Sequence, residues 1–124
     1  MSAQTLLSGG DKWFSYSGVK FGDVSAPATI QLNFIPNTGL RDSMIVVQAF
    51  YGLAVTATGT AQLGIIIKID DTEVVKFQGR EYSREDNDTF NLFVPRQSKL
   101  EVISINTSGN NTQERGANIL GYYL

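Results

Sequence analysis

Period-two alternation of apolar and polar residues recurs along this chain and helical periodicity does not, which confines the fold to antiparallel sheets. Ala28, Ile30, Leu32 and Phe34 alternate with Thr29, Gln31 and Asn33 and stop at Pro36, the pattern of a strand with one buried face. Residues 65–69 and 73–77 flank the polar tip Asp70-Asp71-Thr72 as the arms of a hairpin. Phe90, Leu92 and Val94 alternate with Asn91 and Phe93 up to Pro95. Beyond the link Arg96-Gln97-Ser98, residues 100–106 form a strand rich in β-branched side chains, and residues 118–124 are apolar and aromatic. Residues 43–58 are apolar on both faces and form either one long central strand or two broken at Gly52. Residues 13–21 supply one or two short strands broken by Gly18, while residues 79–88 and 107–116 read as polar surface loops. About seven to nine strands at such spacings predict an all-β protein, an antiparallel β-sandwich with a jelly roll as its expected form.

A length of 124 residues fits one domain, expected as an N-terminal arm over residues 1–10 and a single sandwich over 11–124. The chain is 42% hydrophobic and 18% charged, too apolar and too weakly charged to remain unfolded. Ten Lys and Arg against 12 Asp and Glu leave no basic excess for a nucleic-acid partner. The first ten residues lack the basic and apolar regions of a signal peptide, so manufacture in a cytoplasm is expected. The richest apolar run, residues 63–69, holds Gly64 and Lys68 and is too short for a membrane helix, so no membrane partner is expected.

Reactive chemistry is sparse. The absence of cysteine and histidine removes disulfides, thiol catalysis, His-based triads and the commonest metal ligands. The glycines are scattered and build no phosphate-binding loop. Carboxylates sit in hairpin tips and polar segments, and Asp86-Asn87-Asp88 beside Glu85 lacks the remaining donors of a calcium loop. No enzyme, cofactor or metal is expected.

Residues 44–51 raise the question of what covers a second apolar face. One face carries Met44, Val46, Gln48 and Phe50, the other Ile45, Val47, Ala49 and Tyr51, and only one can meet the opposite sheet. The expectation is that Ile45, Val47 and Tyr51, with Phe93, Tyr122 and Tyr123, are covered by another subunit about a three-fold axis. The alternative is that residues 13–21 fold back over that face. Trp13, Tyr82, Tyr122 and Tyr123 also qualify as stacking platforms for sugars, so a carbohydrate- or receptor-binding module is the alternative function.

The stretch Phe90-Asn91-Leu92-Phe93-Val94-Pro95-Arg96-Gln97-Ser98-Lys99-Leu100-Glu101-Val102, the ending Gly121-Tyr122-Tyr123-Leu124 and the opening Gln4-Thr5-Leu6-Leu7-Ser8 leading to Ser17-Gly18-Val19-Lys20 resemble the small jelly-roll virion proteins of tailed bacteriophages, the head decoration or capsid cement proteins. The resemblance implies a non-enzymatic protein on the outer capsid surface of a virion. It also implies a homotrimer that clamps the major capsid protein through β-contacts and an N-terminal arm.

Overall fold

The computed structural model describes residues 7–9, 11–19, 24–25, 28–52, 62–81, 86–108, 110–111 and 114–124. Among these residues the regular structure is entirely β: β1 (Leu7–Gly9), β2 (Lys12–Ser15), β3 (Val24–Ser25), β4 (Ala28–Ile35), β5 (Ser43–Tyr51), β6 (Gln62–Ile69), β7 (Thr72–Glu81), β8 (Asp86–Val94), β9 (Leu100–Ser108), β10 (Asn110–Asn111) and β11 (Arg115–Tyr123). The strands form a sheet ordered β1-β2-β11-β5-β8, a sheet ordered β4-β9-β6-β7 and a small β10-β3 ribbon. Every pairing is antiparallel.

The long strands pair from the outside inwards: β2 with β11, β4 with β9, β5 with β8 and β6 with β7. One long double ribbon rolled on itself places these pairs alternately in two facing sheets, and that arrangement is the jelly roll. The hairpin at its far end turns on Asp70 and Asp71, both in the left-handed region at φ 50° and 67°, which suits the right-handed twist of the flanking strands.

Polar stretches read as loops prove partly stranded. β7 runs on to Glu81 because Gln62 and Leu63 of β6 pair with Glu81 and Arg80, and β8 begins at Asp86 because Tyr51 pairs with it. Likewise β9 continues to Ser108 and β11 begins at Arg115. Leu7–Gly9, placed by sequence in an arm, pairs with β2 at the edge of the five-stranded sheet.

The core lies between the sheets. Trp13, Ile45, Val47, Ala49, Tyr51, Val94, Ala117 and Ile119 project from one side, and Leu32, Ile35, Ile65, Ile67, Leu100 and Val102 from the other. Burying each of the larger aliphatic side chains contributes about 1.5–3 kcal/mol.

Two details decide how the sheets face each other. In β4, Gln31 pairs with Ile103 and Asn33 with Val102, so Leu32 is the extra residue of a β-bulge. The bulge breaks the simple alternation: Leu32, Asn33 and Ile35 are buried, and Phe34, expected inside, is only half-buried. Buried Asn33 donates from Nδ2 to the carbonyls of Ala117 (2.8 Å) and Ser15 (3.3 Å) and accepts from Ser15 Oγ (3.0 Å), tying β4 to β2 and β11 of the opposite sheet. Its polar atoms are satisfied where apolar neighbours alone would make their burial costly.

Trp13 is the second detail. It stands opposite Gly121 in the β2–β11 register, is fully buried, and donates its indole N–H to Ser43 Oγ at 3.1 Å. A Cβ on Gly121 would overlap the indole ring atoms Cε2 and Nε1. Gly121→Ala should therefore cost about 2 kcal/mol or more and lower Tm by about 5–10 °C. Differential scanning calorimetry checks this, and an unchanged Tm would show that the indole is not packed on the glycine.

Candidate interaction face

β5 alternates strictly between inside and outside, beginning with buried Ser43. Ile45, Val47, Ala49 and Tyr51 therefore face the four-stranded sheet, and Met44, Val46, Gln48 and Phe50 face outwards. This corrects the sequence expectation. Ile45, Val47 and Tyr51 belong to the chain's own core and are not available to a second subunit. Tyr123 also leaves the expected interface: two residues beyond buried Gly121, it packs against the core, and the Arg41 guanidinium lies 5.3 Å above its ring. Phe93 and Tyr122 do lie on the outward face, 50% and 38% exposed. Residues 13–19 do not fold over that face as a layer, because β2 is hydrogen-bonded into the same sheet.

The register sets the outward side chains in rows. Lys12, Tyr122, Met44 and Phe93 are successive cross-strand partners from β2 to β8, and the Lys12 ammonium sits 5.6 Å from the Tyr122 ring centroid. Next come Phe14, Leu120, Val46 and Asn91, followed by Asn118, Gln48 and Thr89. The face is thus apolar and aromatic at one end and turns to carboxamides and hydroxyls along β5. The other sheet is its opposite. Its outward rows carry Glu101, Lys68 and Glu73 as neighbours, with Gln31 donating to Glu101 at 2.8 Å.

Between the second and third rows lies a shallow groove of about 270 Å³ lined by Phe14, Tyr16, Val46, Gln48, Asn118, Ile119 and Leu120. The Phe14 and Tyr16 rings are 6.3 Å apart with planes within 8° of parallel. Asn118 Oδ1 accepts from the Ser17 amide (3.2 Å), and Ser17 Oγ accepts from the Ala117 amide (2.9 Å), which holds the end of β2 against β11.

The apolar end of the face is anchored by three loops laced together. The Thr38 amide donates to the Ser98 carbonyl (2.9 Å) and the Ser98 amide to Thr38 Oγ1 (3.1 Å). The Lys99 amide donates to Asp70 Oδ1 at 2.8 Å, and the Lys99 ammonium pairs with Asp71 at 2.6 Å. That ammonium holds the Asp71 carboxyl below the usual aspartate range, and the carboxylate in turn raises the lysine. Arg96 pairs with Asp42, Arg41 with Asp11, and Leu124 donates its amide to the Asp42 carbonyl. Leu40 and Leu124 are exposed at this same end.

The opposite end of the core holds a buried cation. Arg115 donates to Ser104 Oγ of the facing sheet at 3.4 Å. Burial pushes its guanidinium down from its ordinary value, and Tyr51 offsets part of that shift.

Trp13, a sequence candidate for sugar stacking, is excluded from that role because it is wholly buried; Tyr82 lies outside the described residues. The sequence pattern does not bring Phe14, Tyr16, Met44, Val46, Gln48 and Asn118 together as one site. The polar Gln48 among apolar residues was the available signal that its own set, and not that of Ile45, faces out. Among the described residues no group of three or more His, Cys, Asp and Glu side chains is placed to hold a metal ion.

No family model and no curated protein sequence matches the chain. Solved structures are similar in fold. A structure of infectious bursal disease virus, Gx strain, superposes with a TM-score of 0.61 at 13% identity over 90% of this chain and 32% of that one. The VP2 protein of the same virus, in derived T=1 particles, gives 0.59 at 14% identity over 90% of this chain and 31% of that one. This chain therefore spans about a third of the length of those viral chains. A family 35 carbohydrate-binding module from Clostridium thermocellum is matched over 96% of this chain and 98% of that one, at 9% identity and a TM-score of 0.48. The fold is a jelly-roll β-sandwich of a kind found in proteins of virus particles.

Opposite substitutions on β5 test which face is inside. Ile45→Asp should cost several kcal/mol by burying an unpaired charge, and the chain should lose its near-ultraviolet circular dichroism. Met44→Glu, one residue away on the open face, should melt within about 2 °C of the parent. The reverse ranking would invert the assignment.

Proposed function

We propose that this chain is a non-enzymatic structural protein of a virus particle, a decoration protein of the tailed-phage kind. In this reading it sits on the outer capsid surface and reinforces the lattice of the major capsid protein. The observation that carries the proposal is the row Tyr122–Met44–Phe93, three large apolar side chains in register across three strands and open to solvent. Leu40 and Leu124 extend the exposed apolar area at that end of the sandwich. Contiguous apolar area rimmed by charge, here Lys12, Arg41 and Asp11, is the usual composition of a protein-binding patch.

The similarity of the fold to proteins of virus particles supports the same assignment. So does the way the charged side chains of the loops are used. Asp11, Asp42 and Asp71 are engaged by Arg41, Arg96 and Lys99, an arrangement that fixes loops and leaves these carboxylates committed to structure. A protein that binds only the assembled lattice stabilises it by mass action and needs no reactive group. The homotrimer is part of the same proposal, and it would not form through Ile45, Val47 and Tyr51, which belong to the core of the chain itself.

Co-sedimentation with capsid shells that lack the protein tests the reading. The parent chain should bind and raise the temperature at which the shells open. Phe93→Glu should weaken binding at least tenfold while keeping the fold, because that side chain is half exposed. Shells that bind the parent and the variant equally would contradict the assignment of this row, and shells that bind neither would contradict the function.

A further inference from the structure

We propose that the groove between Tyr16 and Gln48 is a binding site for a neutral carbohydrate, taking one sugar ring of a glycan chain. The argument starts from what lines it. Phe14, Tyr16, Val46 and Leu120 supply an apolar floor and wall, and Gln48 and Asn118, direct cross-strand partners, supply two carboxamides. Among the described residues no charged side chain lines the groove. An anionic ligand such as a phosphate would find no cation there, and an amine would find no carboxylate. A purely apolar ligand would cover two polar amides without satisfying them, at a cost in binding.

A sugar ring answers both halves of the lining. Its C–H face packs on aromatic and aliphatic carbon, and its rim of hydroxyls donates to and accepts from carboxamides. The two aromatic rings, stacked 6.3 Å apart with planes within 8° of parallel, supply aromatic carbon to the groove. Asn118 Oδ1 is already fixed by the Ser17 amide, which orients the side chain before any ligand arrives. Its Nδ2 and the carboxamide of Gln48 donate no hydrogen bond among the described residues, and both side chains line the groove. The volume of about 270 Å³ lies just below the usual range for small-molecule sites, ~300–1,000 Å³, which suits a single ring with the rest of the glycan outside.

A peptide fits less well. The groove lies on the face of a sheet whose backbone groups are paired with β2, β5 and β8 in their ladders, so it offers no strand edge for an incoming chain to extend. The site is also distinct from the docking row: it occupies the β2 side of the second and third rows, whereas Phe93 lies on β8 in the first.

The test is a titration of the full chain with neutral hexose and N-acetylhexosamine oligosaccharides, followed by NMR of the side-chain amides of Gln48 and Asn118. Sialylated and phosphorylated oligosaccharides and an unrelated peptide panel serve as comparison arms. At least one neutral oligosaccharide should bind with a dissociation constant at or below the millimolar range and shift both amide pairs. Tyr16→Ala and Gln48→Ala, both at exposed positions, should each weaken that binding at least tenfold without changing the melting temperature. Phe93→Glu should leave it within twofold, which separates this site from the capsid reading. The proposal is overturned if no neutral oligosaccharide binds at about 10 mM, if binding survives both groove substitutions, or if only the charged sugars or the peptides shift the amides.

Discussion

The packing of Trp13 on Gly121 orients the whole five-stranded sheet. Gly121 is the cross-strand partner of both Trp13 and Ile45, so indole, bare backbone and isoleucine lie side by side on one face. The indole N–H reaches Ser43, the first residue of β5, and pins that strand from its start. Once Trp13 is inside, alternation sends Phe14 outwards, and the register carries the same choice to Leu120, Val46 and Asn91. A single large ring therefore selects which half of an ambiguous apolar strand becomes core and which becomes surface.

The facing sheet is fixed by a different means. The bulge at Leu32 turns both Leu32 and Asn33 inwards, and the Asn33 carboxamide then bonds across the sandwich to β2 and β11. A shift of one residue in β4 would leave these three polar partners buried and unpaired, at about 1–3 kcal/mol each. The polar clamp thus specifies register where apolar packing alone would tolerate alternatives. The outer surfaces that result are unlike each other. One is laced with Glu101, Lys68 and Glu73, and the other is apolar along Tyr122, Met44 and Phe93. Solvent suits the first, and a partner suits the second.

Much of this was legible in the sequence. The strands over residues 28–34 and 90–94, the hairpin tip at Asp70-Asp71 and the terminal strand lie where the sequence pattern puts them, with the alternation of β4 broken only by its bulge, and the jelly-roll class follows from them. The sidedness of β5 was not legible from apolar content, since Ile45 and Val46 are equally suited to a core. It depends on Trp13 and Gly121, 108 residues apart and adjacent only through the β2–β11 pairing. The burial of Asn33 was hidden for a similar reason, because the bulge that turns it inwards is a property of its pairing with β9. The polar ends of β7 and β8 look like loop in the sequence because strand propensity is weak there; their partners, residues 62–63 and Tyr51, impose the extended form. The groove is not legible in the sequence because Phe14 and Tyr16, Gln48, and Asn118 lie in and beside three strands far apart in the chain.

The most direct test of the proposed function is a cryo-electron microscopy reconstruction of capsid shells incubated with this protein. The account predicts β-sandwich density on the outer capsid surface, with Tyr122, Met44 and Phe93 against a neighbouring subunit and the charged face of β6 and β7 towards solvent. A sandwich seated through that charged face, with the apolar row pointing into solvent, would contradict it.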